Sequence, residues 1–123
     1  MEDNLQTVSW PVSADLSASQ YCFTSIDSNG QLAVTGAGAQ ADGVLQDKPA
    51  AAARAGLLGI AGVSKVRAGG VVAAGDLITS DSTGRGVTAT TGDNINGVAG
   101  EASTAANQVI KVLLKTQNAN AVA

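Results

Sequence analysis

The chain has no histidine, one cysteine, two prolines and three aromatic residues, Trp10, Tyr21 and Phe23. Each shortage removes a kind of chemistry. Without histidine, the commonest general base and the commonest zinc ligand are missing. The single cysteine, Cys22, permits no internal disulfide, and no imidazole is present to activate it as a nucleophile. It stands between Tyr21 and Phe23 in a strand-like run and reads as a small, half-buried hydrophobe. Charge is sparse as well: seven basic residues, scattered from Lys48 to Lys115, against ten acidic ones, for a net of −3. Nucleic-acid binding needs clustered Lys and Arg and stacking aromatics, so no nucleic-acid partner is expected. No apolar stretch approaches the ~18 residues of a transmembrane helix, so no membrane partner is expected either. Met-Glu-Asp-Asn at the start does not fit a secretory signal.

What the chain does have is small apolar residues and glycine. Its 123 residues suit one domain, 45% of them are hydrophobic, and 15 are glycine. A core of Ala, Val and Leu packs in thin layers, and such chains gain further burial by assembling. Short period-2 runs separated by turn residues predict an all-β fold, a small sandwich or barrel with an extended N-terminal arm. Residues 21–26 alternate, and Asp27-Ser28-Asn29-Gly30 follows as a hairpin turn with Asn-Gly at its centre. Residues 57–66 form a long apolar run interrupted by Gly59 and Gly62, which predicts a bulge or bend. In the last strand Ile110, Val112 and Leu114 face the core, and Lys111, Leu113 and Lys115 face outward. Helix is confined to a turn or two after Pro49, over residues 50–54, and a similar short turn over 101–107.

The chain also echoes itself. At a shift of 54, Asp27, Ser28 and Gly30 fall on Asp81, Ser82 and Gly84, Gly38 on Gly92, Gly43-Val44 on Gly97-Val98, and Ala51-Ala52 on Ala105-Ala106. That makes eight identities over residues 20–60, where composition alone gives about four. Two pseudo-repeats closing one domain are therefore expected. The boundaries are an arm over 1–14, a β-domain over 15–115 and a tail over 116–123.

Three motifs carry a chemical reading and a plainer one. Gly36-Ala37-Gly38-Ala39-Gln40-Ala41 matches a dinucleotide-binding loop, but Asp42-Gly43-Val44 follows where a helix is required, so it is a plain loop. Asp27-Ser28-Asn29-Gly30 resembles the start of a calcium loop, but the twelfth position is Gly38 and not a bidentate Glu. Asp15, Asp27, Asp42, Asp47, Asp76, Asp81 and Asp93 sit at strand ends and turns, where Asp binds nearby backbone N–H groups. No catalytic residue, metal site or cofactor is expected. The candidate contact residues lie in the arm: Leu5, Val8, Trp10 and Val12, apolar positions in polar surroundings, with Pro11 holding the stretch extended. They are expected to pair with another chain's sheet edge.

Residues 14–114 resemble the small capsid cement proteins of tailed phages and prophages. The matching stretches are Ala14-Asp15-Leu16-Ser17-Ala18-Ser19-Gln20-Tyr21, the Asp-x-x-Gly turn at 27–30, Gly43-Val44-Leu45-Gln46-Asp47-Lys48-Pro49-Ala50, Gly75-Asp76-Leu77-Ile78-Thr79-Ser80-Asp81 and Gly97-Val98-Ala99. The resemblance implies a β-rich decoration protein without enzymatic activity. Such a protein is made in the host cytoplasm and assembled as a homotrimer on the outer face of the virion. Its partner would be the major capsid protein, with the arm residues as the contact. The competing expectation is a tail or fibre module that binds a host-surface glycan. Sugar rings need exposed aromatics, and two of the three lie in an apparent core strand.

Overall fold

The computed structural model describes residues 5–115, and it breaks the period-2 runs at glycines and at aspartate-led turns into ten short strands. The first five are β1 (Gln6–Pro11), β2 (Phe23–Ile26), β3 (Leu32–Val34), β4 (Gly43–Leu45) and β5 (Ala55–Ala61). The second five are β6 (Val63–Arg67), β7 (Leu77–Ser80), β8 (Gly86–Thr88), β9 (Gly97–Ala99) and β10 (Val109–Leu114). They make two antiparallel five-stranded sheets in a sandwich-like fold, with no helix among the described residues. The stretch 50–54 is a turn that brings Ala53 to a φ of 68°. The long 57–66 run divides at Gly62, whose φ of 98° suits a residue without Cβ, and so supplies one strand to each sheet.

The strand orders are β1-β5-β4-β2-β3 and β6-β10-β9-β7-β8, one order written twice. Ladders match residue by residue. Thr24 faces Val34 as Ile78 faces Thr88, and Leu45 faces Leu58 as Ala99 faces Val112. The lone parallel bridges Val12–Leu32 and Ala68–Gly86 correspond too. Shift 54 holds from β2 to β5, but β1 corresponds to β6 at 56, because the β6–β7 connection is two residues shorter than β1–β2. The repeat is thus a unit of five strands, residues 5–61 and 63–115.

The paired turns explain why the echo survives in sequence. Asp27 accepts the N–H groups of Asn29 at 2.9 Å and Gln31 at 3.0 Å, and Asp81 accepts those of Thr83 at 2.9 Å and Arg85 at 2.8 Å. Gly30 and Gly84 then take φ of 74° and 81°. This corrects the expected Asn-Gly centre: Asn29 keeps an ordinary φ, and the aspartate with a single left-handed glycine builds the turn.

The units do not meet as mirror partners. Leu45 and Leu58, with Val12, Leu16 and Leu32, form a cluster belonging to the first unit alone. On the opposite face of that sheet, Phe23 and Val44 join Val66, Ile78, Ala99 and Val112 of the second unit. Ala99 and Val112 are the counterparts of Leu45 and Leu58, so the Phe23 face of the first unit covers the other kind of face on the second. Ile110, Val112 and Leu114 are buried and Lys111, Leu113 and Lys115 exposed, as the alternation predicts.

Candidate functional site

The candidate contact residues of the arm lie in and beside β1, and the structure treats them unequally. β1 is extended as expected, but it is already paired: Thr7 to Pro11 run antiparallel to Gly59 to Ala55 at the edge of the first sheet. One edge of the strand is thus paired within this chain. Val12 is fully buried, its N–H bound to the Arg54 carbonyl at 2.9 Å. Its side chain packs with Leu16, Leu32, Leu45 and Leu58 and anchors the end of β1. Leu5 is half-buried against the larger core. Val8 and Trp10 each keep 37% exposure. They share a face with Leu58 and Gly56, their cross-strand partners, at the open end of the first unit. The Trp10 indole N–H donates to the Gly30 carbonyl at 2.7 Å, which holds the ring over the β2–β3 turn. Ile26, 40% exposed, stands at that end too. The far edge of β1 pairs with no strand among the described residues, and Pro11 ends it. Residues 1–4 and the tail over 116–123 lie outside the described residues.

A second apolar surface was missed in the sequence. Across the outer face of the second sheet, Val63 faces Leu113, Leu113 faces Val98, and Val98 faces Leu77. Leu77 and Leu113 are 42% and 47% exposed. The row runs over four strands, with Lys65 and Lys111 opposite each other one step along β6 and β10. The available signal was Leu113, an apolar residue between two lysines on the outward side of the clearest strand.

An open cleft of about 430 Å³ is lined by Ala18, Ser19, Cys22, Arg67, Thr83, Arg85 and Asn107. Arg85 is committed to Asp81 at 2.9 Å. Burial pushes the Asp81 carboxyl up, but the N–H groups of Arg85 and Thr83, the Thr83 hydroxyl and the Arg85 charge together hold it below the usual carboxylate value. Burial pushes the Cys22 thiol up, with smaller opposing effects from the nearby arginines, so it stays a thiol and makes a poor nucleophile. The seven turn aspartates all accept backbone N–H groups; Asp42, for instance, takes that of Ile26 and Asp47 that of Leu57. Among the described residues no three Cys, Asp or Glu side chains converge on a metal-sized site. The Gly36–Ala41 stretch is a loop with no helix after it.

No family model matches the chain. No curated protein matches it. Among solved structures it is similar to the head fiber gp8.5 N base of bacteriophage phi29, with a TM-score of 0.70 over 90% of this chain and 96% of that one. At 16% identity, that likeness is one of fold.

Proposed function

We propose that the chain is a structural protein of a phage head, a cement protein that binds the major capsid protein on the outer surface and stabilises the expanded shell. The observation that carries this is the fold shared, over nearly the whole of both chains, with the base of a phage head fiber. The resemblance of residues 14–114 to capsid cement proteins points the same way. In this reading the chain works as a homotrimer and performs no reaction. Head contact uses the open edge of β1. There a strand of the shell adds main-chain hydrogen bonds lateral to Leu5, Val8 and Trp10, and the buried Val12 fixes the edge in place.

A second reading has one observation in its favour. The similar structure is the base of a fiber, and in this second reading the chain is the foot of a head fibre with no clamping action. The glycan-binding variant is less supported by the aromatics. Phe23 is fully buried and Tyr21 half-buried, and the Trp10 ring is tied to Gly30.

Co-sedimentation with expanded and unexpanded shells tests the proposal. The chain is expected to pellet with expanded shells only, and loaded heads carrying it should release DNA at a higher temperature than bare ones. Failure to pellet with either shell overturns the proposal. Binding without any gain in head stability favours the fibre foot.

A further inference from the structure

We infer that copies of this chain join head to tail by repeating the junction that already joins its two units. The outer face of one copy's second unit covers the open end of the next copy's first unit. This deepens the oligomer named in the proposed function and rests on that part of it.

The argument starts from what the internal junction buries. On the first unit's side it uses Phe23, Thr35, Ala41, Val44 and Gln46. On the second unit's side it uses Ser64, Val66, Ser80, Gly86 and Asn96. Phe23 N–H donates to the Gly84 carbonyl at 2.6 Å and Gly38 N–H to that of Ser80 at 2.9 Å. Asn96 spans the junction, accepting from Ala41 N–H and donating to the Ala39 carbonyl, both at 3.0 Å.

Each side has a counterpart on the other unit, and there it is partly uncovered: Leu32, Leu45 and Leu58 are buried in the first unit's own cluster, but the residues around them are open. Phe23, fully buried, corresponds to Leu77 at 42% exposure, and Val44 to half-buried Val98. Ser64, Val66 and Ser80, all at 2% or less, correspond to Val8, Trp10 and Ile26 at 37%, 37% and 40%. A junction that joined two like faces would leave nothing open. This one joins unlike faces, so part of each unlike half remains exposed, Val8, Trp10 and Ile26 on the first unit and Leu77 and Leu113 on the second. Both free halves are apolar, and the first replaces two serines by valine and isoleucine, a change suited to burial and not to water.

Charge agrees. Residues 5–61 hold four acidic and two basic residues, a net of −2, and 63–115 hold four acidic and five basic, a net of +1. Lys65 and Lys111 border the row Leu77–Val98–Leu113, and Asp42, the exposed counterpart of Asn96, borders Ile26 through its bond to the Ile26 N–H at 2.8 Å. Opposite charges thus flank the two apolar halves. The repeat is not identical, since Gly86 admits the Phe23 ring whereas its counterpart Leu32 fills that space itself. The partner there is the smaller Leu77. An unlike-face contact propagates, and it closes into a ring when its rotation divides the circle.

The experiment uses the full chain and two single-face variants, Leu113→Glu and Ile26→Glu, each checked for an unchanged circular dichroism spectrum. Leu77→Lys replaces the first if it fails to fold. Sedimentation equilibrium should give a multiple of 12.0 kDa for the unmodified chain and monomer for each variant, with association at least about 100-fold weaker because an unpaired charge would be buried. Mixing the variants should restore a dimer and stop there, since each still carries one intact half. Two outcomes overturn the inference: variants that keep the oligomer, or a mixture that stays monomeric. An unmodified chain that is monomeric up to about 1 mM overturns it as well. Shell binding by that chain, measured separately, would leave the head reading standing.

Discussion

The two units share a strand order, a ladder register and a turn, yet the second is buried where the first is open. At the junction, Gly84 and Gly86 of the second unit lie under Phe23, whereas in the first unit Gly30 meets only the Trp10 indole and Leu32 packs into that unit's own cluster with Val12, Leu16, Leu45 and Leu58. The difference teaches that backbone pattern and partner choice are encoded separately. Turns and strand spacing set the unit. A few side chains, a phenylalanine on one face and a glycine on the other, decide which faces meet.

The largest effect should come from charging the shared core. Val112→Asp places a carboxylate in a fully buried position on β10, and no soluble folded protein is expected on expression. Lys111→Asp, one residue away, faces Lys65 on the outer side. It should fold, with stability unchanged or higher by a few tenths of a kcal/mol, because it replaces two facing like charges by an opposite pair. Equal damage from the two would mean that the assigned alternation is wrong.

Next in size are the counterparts Phe23 and Leu77. Phe23→Ala removes a fully buried ring from the junction and should lower the unfolding free energy by about 3–5 kcal/mol in urea titrations. Leu77→Ala in the monomeric chain should cost about 1 kcal/mol or less, since much of that side chain is already in water. Similar losses at both sites would erase the asymmetry described above.

The turn glycines make a finer comparison. Gly30→Ala puts Cβ into open space and meets only the left-handed backbone, a cost of about 1–2 kcal/mol. At Gly84 the same Cβ would also stand 2.8 Å from the Phe23 carbonyl oxygen and 2.9 Å from Val34 Cγ1. Gly84→Ala should therefore be the more damaging by a clear margin in thermal unfolding.

The smallest effect is the pH dependence from Asp81. Its carboxyl is held below the ordinary 3.8, so its contribution to stability is fully present above 3.8 and is lost as pH falls through the lowered folded value. Asp81→Asn should flatten the loss of stability below about pH 4 that the unmodified chain shows in urea titrations.

Much of this was legible in the sequence. The alternation at Ile110, Val112 and Leu114 and the Asp-Ser-x-Gly echo led to the all-β class and to the two units, because turns and strand faces are local properties. The placement of β1 was not legible. Its partner β5 lies some fifty residues on, and a short apolar run with a tryptophan satisfies an edge in its own chain as well as in another. The row Leu77–Val98–Leu113 was hidden for a related reason. Period 2 separates the two faces of a strand but does not say which partner covers each, and the choice here turns on Gly86.

The central claim, that this fold serves on the outside of a phage head, is tested most directly by cryo-electron microscopy of heads assembled with and without the chain. The account predicts added density on the outer surface of the expanded shell, built of paired five-stranded lobes, with the edge of β1 against the capsid protein. Heads that look the same with and without the chain, or such lobes found on the tail alone, would contradict it.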